Sequence, residues 1–464
     1  EICNFHKAPT RKNMRKCLNF FSAIREEKVQ KGTKISSEEE NAQEKRKALL
    51  VSAFNGNDQR AICEEHLDEL ELLAETYGVE IVAKVPCLIR KVDAATFVTQ
   101  GKLEELITLS KECAADLIIF DDEISPSQQR NLEKAFQLTV MDRTEVILEV
   151  FAQRAKTKEA RLQIEYARVK YQAPRLKRLW SHLSRQHGSG GAGGGAYLKG
   201  EGEKQIEIDR RLIKKRLEQL QSEIQEVKEH REIQRVARTR SAIPVFALVG
   251  YTNAGKSTLL NALTDADVFV EDKLFATLDT TTRKFPLSTG QEVLVTDTVG
   301  FIRKLPHLLV AAFKSTLEEA IQADILLHVI DATHPMALEQ ARTTIQVLKE
   351  LGVGDKPIIT VLNKIDQAEQ NELTTRLRLE YPRTVPISAL HRRGFEELEE
   401  MMLRELSQQR KTLNLRIPQS EYALVSEIRR SGNVISQDYE ENDVLIEVDL
   451  PVALANKLKN YVIS

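Results

Sequence analysis

Val245-Phe246-Ala247-Leu248-Val249-Gly250-Tyr251-Thr252-Asn253-Ala254-Gly255-Lys256-Ser257-Thr258-Leu259-Leu260-Asn261-Ala262-Leu263 carries three instructions in one stretch. Its first five residues form a short apolar run, the pattern of a buried strand. Residues 250–257 match G-x-x-x-x-G-K-[ST], and an apolar helical segment follows at once. In that strand–loop–helix setting the glycines let backbone N–H groups curl round phosphate oxygens, while the helix N-terminus adds partial positive charge. Lys256 is expected to bridge the β- and γ-phosphates, and the Ser257 hydroxyl to ligate Mg²⁺. The stretch predicts a phosphate loop at the edge of a mostly parallel α/β sheet.

Downstream segments specify the base. About 110 residues past the loop, the run Pro357–Leu362 leads into Asn363-Lys364-Ile365-Asp366. A carboxylate there accepts two hydrogen bonds from the guanine N1–H and N2–H₂ edge. Adenine offers no such pair of donors and would leave the carboxylate unpaired. Lys364 is expected to lie over the ring, and Ser388-Ala389-Leu390 to buttress the guanine carbonyl. Taken alone, the tetrapeptide would pass for a surface turn; at this distance from a phosphate loop it specifies GTP.

Between the two lie the candidate sensors of the γ-phosphate. Asp297-Thr298-Val299-Gly300 ends a strand as D-x-x-G, with Asp297 reaching Mg²⁺ through a water and the Gly300 amide donating to the phosphate. Upstream, Phe275-Ala276-Thr277-Leu278-Asp279 offers Thr277 as a second hydroxyl ligand, in competition with Thr280, Thr281 and Thr282. Both segments are expected to order around the γ-phosphate and relax after hydrolysis. Phe301 follows Gly300, where Ras-type enzymes carry the glutamine that orients water. Slow intrinsic turnover, stimulated by a partner, is expected.

The chain outside this region adds three more domains. Its 464 residues predict about three domains at roughly 150 residues each. Lys and Arg number 67 against 69 Asp and Glu, so no uniformly basic coat is present, although one basic face is allowed. With 42% hydrophobic residues, wholesale disorder is excluded. No apolar run approaches the roughly 18 residues of a membrane helix. Cys3, Cys17, Cys63, Cys87 and Cys113 lie far apart, which argues against a zinc ribbon or a disulfide scaffold. Residues 1–46 read as a disordered basic-polar lead-in, with an organelle-targeting remnant as the alternative.

Strand and helix patterns alternate over 47–142, the signature of an N-terminal α/β domain. Residues 143–240 read as two amphipathic helices packed as an antiparallel hairpin, interrupted by a glycine tract at 188–202 that holds eight of the chain's 20 glycines. That tract is expected to be a mobile tip, since each glycine costs about 1 kcal/mol in a helix. Over 152–187 ten basic residues stand against two acidic ones. A near-neutral chain that concentrates charge in this way is expected to meet a polyanion there, RNA rather than DNA. A GTPase domain follows at 241–412 and a small C-terminal α/β domain at 413–464.

Several strings resemble the HflX-type ribosome-associated GTPases, in the OBG–HflX branch of P-loop GTPases. Asp122–Glu133 (DEISPSQQRNLE) and Phe151–Thr157 (FAQRAKT) are similar to the family's N-terminal signatures, and Gly250–Thr258, Phe275–Arg283 and Asp297–Glu319 to its GTPase signatures. The resemblance implies Thr277 as the Mg²⁺ ligand and Phe301 as the family's hydrophobic replacement of the glutamine. It implies a Ras-like GTPase fold with Mg²⁺ and GTP or GDP bound, and the large (50S) ribosomal subunit and its rRNA as partners of the basic hairpin. It also implies a role in splitting or rescuing ribosomes, or in their assembly, by a cytoplasmic protein that is monomeric off the ribosome and has no stable membrane anchor. Departures are Lys199–Glu207 after the glycine tract, Thr99-Gln100-Gly101-Lys102 in the N-terminal domain, and Asp279-Thr280 in place of Asp-Pro. The competing reading is a P-loop GTPase of signalling or small-molecule metabolism that does not bind ribosomes.

Overall fold

A computed structural model describes residues 46–186, 208, 210–227, 229, 243–264, 274–278, 280–306, 319–354, 356–368, 372–408, 410–440 and 442–463. The lead-in, the glycine tract and Asp279 lie outside the described residues, so the expectations placed on them have no structural counterpart here.

The first sheet contains β1 (Lys47–Phe54), β2 (Glu80–Leu88), β3 (Leu117–Phe120) and β4 (Thr139–Asp142) in the order β2-β1-β3-β4, all parallel. Alternate side chains of β1 go to opposite faces. Ala48 and Leu50 pack with α1 (Arg60–Tyr77), whereas Leu49 and Val51 pack with α2 (Gln100–Glu112) and α3 (Pro126–Phe136). Helix α1 ends at Gly78, whose φ of +98° lets its N–H close onto the carbonyls of Ala74 and Glu75. Helix α3 begins with a reciprocal cap: the Ser125 hydroxyl accepts from the Gln128 N–H, and the Gln128 side chain accepts from the Ser125 N–H.

The next helix, α4 (Arg143–Arg154), starts at the boundary expected at residue 143. Val146, Ile147, Leu148, Val150 and Phe151 are all buried in the cluster that also holds α1 and the hairpin residues Ala160, Ile164 and Ala167. Eight of its twelve residues are buried, the polar Arg143, Thr144 and Glu145 among them. The long helix α5 (Lys158–Gln186) follows, and α6 (210–227) returns beside it. Arg216 of α6 holds Glu165 of α5 with two hydrogen bonds, Nε at 3.0 Å and Nη2 at 2.5 Å, while Leu220 is buried.

A six-stranded sheet then forms from β5 (Val245–Gly250), β6 (Thr281–Pro286), β7 (Glu292–Asp297), β8 (Ile325–Asp331), β9 (Ile358–Asn363) and β10 (Thr384–Pro386). Its order is β10-β9-β8-β5-β7-β6, parallel except where β6 runs antiparallel to β7. Phe246 and Leu248 face α7 (Lys256–Thr264) and α10 (Phe395–Gln408). Ala247 and Val249 face the other way, toward α8 (Ala337–Glu350), in a cluster continuous with α1 and α4 of the N-terminal domain. The two sheets thus share one apolar core. Helix α9 (Glu372–Glu380) precedes β10.

The C-terminal unit is an antiparallel sheet, β11 (Arg410–Pro418), β13 (Asp443–Pro451) and β12 (Asn433–Glu440) in that order, with α11 (Tyr422–Ser431) and α12 (Val452–Lys457) against it. Val425, Ile428 and Leu454 of the helices meet Ile417, Ile446 and Val448 of the strands in its core.

Candidate nucleotide site

Strand β5 ends at Gly250 and helix α7 begins at Lys256, so the loop between them is short and pinned at both ends. A Cβ on Gly250 would lie 2.2 Å from the Val329 carbonyl oxygen of β8, so only glycine lets the loop leave the sheet here. Gly255 has φ +90°, and a Cβ on it would lie 2.2 Å from Asn363 Nδ2. Asn253 adopts φ +59°. Thr252 and Ala254 are buried, Asn253 is exposed, and Thr258 is half-buried in the first turn of α7.

Lys256 is buried, and its Nζ donates to the carbonyls of Gly250 (3.2 Å) and Tyr251 (2.7 Å). Burial pulls its pKa down to about 8, against the opposing pull of Asp297. The ammonium therefore has a fixed place in the mouth of the loop and, among the described residues, no carboxylate in direct contact to neutralise it.

The predicted cation ligands converge. Ser257 Oγ lies 2.7 Å from Thr277 Oγ1 and donates to Asp297 Oδ2 at 2.6 Å. Thr277 reaches this point, whereas Thr281 and Thr282 belong to β6 and Thr282 pairs with Thr296 at 3.0 Å. Burial pushes the Asp297 carboxyl above the usual carboxylate range, although Lys256, Ser257 and Thr277 pull the other way. Asp297 Oδ1 is buried with no hydrogen-bond partner among the described residues. An orphaned oxygen beside two converging hydroxyls is the donor set a hard divalent cation takes.

The second switch is tied to the phosphate loop. Phe301 N–H donates to the Gly250 carbonyl (3.0 Å), and Thr252 N–H donates to the Phe301 carbonyl (2.8 Å). Gly300 is pressed against the loop so closely that a Cβ would lie 2.9 Å from Thr252 Cα and 3.0 Å from Lys256 Nζ. The Thr298 hydroxyl donates to the Leu248 carbonyl, and Val299 is buried. The Phe301 ring is buried in the shared apolar core. Upstream, Phe275 has φ +56° and packs edge-on against Phe151 of α4 with centroids 4.4 Å apart; Leu278 is buried and Ala276 half-buried.

The base-side residues form a second brace. Asn363 Nδ2 donates to the Ala254 carbonyl (2.9 Å), and its Oδ1 accepts from Ala389 N–H (2.9 Å). One buried amide thus joins the phosphate loop to the 388–390 loop. Lys364, at φ +63°, pairs with Asp331 at 2.7 Å, and Ile365 N–H donates to the Ile387 carbonyl. Asp366 is held below the usual carboxylate range, first by the Ser388 hydroxyl. Leu390 is 70% exposed, which leaves it available to cap an incoming ring.

Sequence reasoning missed the residues that bind this site to the N-terminal domain. Asp121, fully buried, takes Arg143 Nη1 (2.9 Å), Arg303 Nη2 (3.0 and 2.9 Å) and Lys304 Nζ (3.0 Å). Glu69 of α1 takes Arg143 Nη2 (2.7 Å) and the Tyr251 hydroxyl (2.8 Å). A charged pair, Asp121-Asp122, directly after the apolar run 117–120 was the available signal.

The sequence is similar to those of known GTPases. Residues 64–152 match the family model described as GTP-binding GTPase N-terminal, 154–238 match GTP-binding GTPase Middle Region, and 245–364 match 50S ribosome-binding GTPase. The GTPase HflX of Chlamydia pneumoniae is 47% identical over 90% of this chain and 89% of its own length. The chain belongs to the HflX GTPase family. The HflX GTPases of Caldanaerobacter subterraneus (42% identical over 92% of this chain and 96% of the relative) and of Escherichia coli K12 (41% over 87% and 93%) are also similar. Among solved structures, a GTP-binding protein from Sulfolobus solfataricus in complex with GDP is 26% identical, with a TM-score of 0.42 over 78% of this chain and 99% of that one; a superposition this loose adds nothing about the site. As an HflX GTPase the chain hydrolyses GTP, and its architecture is that expected from sequence: a mixed, mostly parallel GTPase sheet joined to an N-terminal α/β domain. No described helix is long and apolar enough to cross a membrane.

Proposed function

We propose that this HflX GTPase binds the large (50S) ribosomal subunit in its GTP form and releases it after hydrolysis, acting to split or rescue ribosomes or in subunit assembly. The observation that carries the nucleotide half is the convergence of Ser257, Thr277 and Asp297 beside Lys256, with Asn363 bracing the phosphate loop to the base loop. The ribosomal half is supported by the match of residues 245–364 to a 50S ribosome-binding GTPase model.

In this reading Gly250–Thr258 wrap the phosphates. Lys256 supplies positive charge to the β- and γ-phosphate oxygens, and the Gly300 N–H donates to the γ-phosphate. Asp366 accepts from guanine, Lys364 lies over the ring, and Ser388–Leu390 close the base side. Ser257 and Thr277 would hold Mg²⁺, with Asp297 acting through a water, and the orphaned Asp297 Oδ1 fits that role. Bound there, the ion would neutralise charge on the phosphates. Phe301 has no group to orient water, and its ring is buried away from the loop mouth. The chain on its own is therefore set for slow turnover, with the missing polar groups supplied by the ribosome.

The RNA contact falls to the outer part of the hairpin. Arg175 stacks on Tyr171 at 3.6 Å and bonds Asp142, Gln129 and the Ile124 carbonyl, so it fastens α5 to the N-terminal domain. Arg168 pairs with Glu149. The basic positions from Lys177 onward lie beyond the described side chains and carry the RNA-binding proposal. Single-turnover GTP hydrolysis with and without purified 50S subunits tests this reading. At least a tenfold acceleration by 50S and none by 30S is expected, and equal rates throughout would overturn it.

A further inference from the structure

One residue outside the GTPase domain, Glu69, reaches the switch at residue 303 through the Tyr251 hydroxyl and, less closely, through an ion pair of its Oε2 with Arg303 Nε at 3.6 Å. The Tyr251 phenol accepts from the Arg303 main-chain N–H at 2.7 Å and donates to Glu69 Oε1 at 2.8 Å. The polarity of this relay is fixed at both ends. A backbone N–H only donates, so the phenol oxygen must accept from it, and the phenol proton must then go to Glu69, a carboxylate that only accepts. Glu69 has no freedom to turn away. Its Oε1 also takes Arg143 Nη2 at 2.7 Å, and Arg143 is buried between Asp121 and the Arg303 carbonyl, to which its Nε donates at 3.1 Å.

The Arg303 amide lies three residues beyond Gly300. With the two hydrogen bonds between Phe301 and the phosphate loop, the phenol makes a third link along residues 301–303. Together they press Gly300 against Thr252 and Lys256. The links at Phe301 are main chain to main chain and available to any sequence. The third depends on a side chain in the phosphate loop and a carboxylate in another domain.

We infer that Glu69, acting through the Tyr251 hydroxyl, is a positioning residue for GTP: it holds residues 300–303 so that the Gly300 N–H stays beside Lys256 Nζ, where the terminal phosphate binds. Glu69 touches no part of the nucleotide. Its effect falls on the γ-phosphate alone, so it sets the preference for triphosphate over diphosphate. The inference rests on reading residues 250–257 and Gly300 as the triphosphate seat.

The test uses the full chain and two fluorescent probes, labelled GDP and a labelled non-hydrolysable GTP analogue. Tyr251→Phe and Glu69→Gln are each expected to weaken the analogue about three- to tenfold, the size of one buried hydrogen bond, and to leave GDP within about twofold. The double variant is expected to lose less than the sum of the two single losses, because Glu69 acts chiefly through the phenol and only secondarily through its ion pair with Arg303. Glu71→Gln, which removes only a partly exposed pair with Lys84, is expected to change neither probe. An unchanged ratio, equal loss of both probes, or additive losses in the double variant would each overturn the inference. If Tyr251→Phe does not fold, Glu69→Gln decides through amide hydrogen exchange at residues 301–303: faster exchange with intact GDP binding supports the inference, unchanged exchange overturns it. Lys256→Ala keeps the underlying reading separate: analogue binding that survives it would refute the triphosphate seat itself.

Discussion

Asp121→Asn is the substitution by which the contact between the N-terminal domain and the GTPase domain is best weighed. Asp121 follows β3 with a fully buried side chain and four close contacts from three cations: Arg143, Arg303 twice, and Lys304. Burial alone would raise its pKa. The charges of Arg143, Arg303 and Lys304 more than reverse that and hold the carboxyl well below the usual carboxylate range. An asparagine keeps the shape but leaves Arg143, itself buried, with a single carboxylate, Glu69. Breaking a buried pair on one side typically costs roughly 3–5 kcal/mol, because the remaining charge stays buried. Asp68→Asn removes a surface partner of Lys84 and is expected to cost at most about 1 kcal/mol. Urea unfolding of the full chain followed by circular dichroism measures both. The sign with pH follows from the lowered pKa: the contribution is complete above the ordinary aspartate value and is lost as pH falls below it. A loss within about 1 kcal/mol of wild type in Asp121→Asn would refute the reasoning, since it would mean that desolvation of the carboxylate cancels all three partners.

Other outcomes test the site. Asp366→Asn is expected to lower GDP affinity about a hundredfold and to improve xanthosine diphosphate, read by competition titration, since the amide donates to the xanthine 2-oxygen; unchanged guanine preference would show the base site is elsewhere. Phe301→Gln is expected to destabilise the chain by about 3 kcal/mol without speeding hydrolysis, because the side chain points into the shared core; a faster single-turnover rate would contradict that placement. Lys256, with its pKa lowered to about 8 by burial, should be re-protonated when phosphates bind. Nucleotide binding at pH 8 is therefore expected to take up about half a proton, falling toward zero at pH 6.5, and calorimetry in buffers of different ionisation enthalpy reads this directly. Binding that is independent of buffer would show that the lysine is fully charged beforehand.

The legible parts of this chain were those whose physics is local. The strand–loop–helix at 245–263 could be read because glycine spacing and apolar periodicity are properties of neighbouring residues, and β7, β9 and the N-terminal strands β1 to β3 could be read as apolar runs. Asn363 was legible as a motif but not as a brace, since its two partners lie 109 and 26 positions away. The packing of the helix that starts at residue 143 was hidden for a related reason. Helix α4 is as periodic as the hairpin helices, and its burial against α1 cannot be read from that period. Arg175 counted as free charge in the sequence because its partners, Asp142 and Gln129, come from another domain. In the C-terminal unit β11 and α11 went unread, because their apolar positions gain meaning only against β13. The relay from Glu69 to Tyr251 spans 182 positions, and no pattern along the chain announces it.

The coupling of nucleotide state to the ribosome is tested most directly by co-sedimentation of the full chain with purified 50S subunits in GDP and in a non-hydrolysable GTP analogue. Retention on 50S with the analogue and release with GDP is the predicted result. Equal retention with both nucleotides, or none with either, would contradict the account.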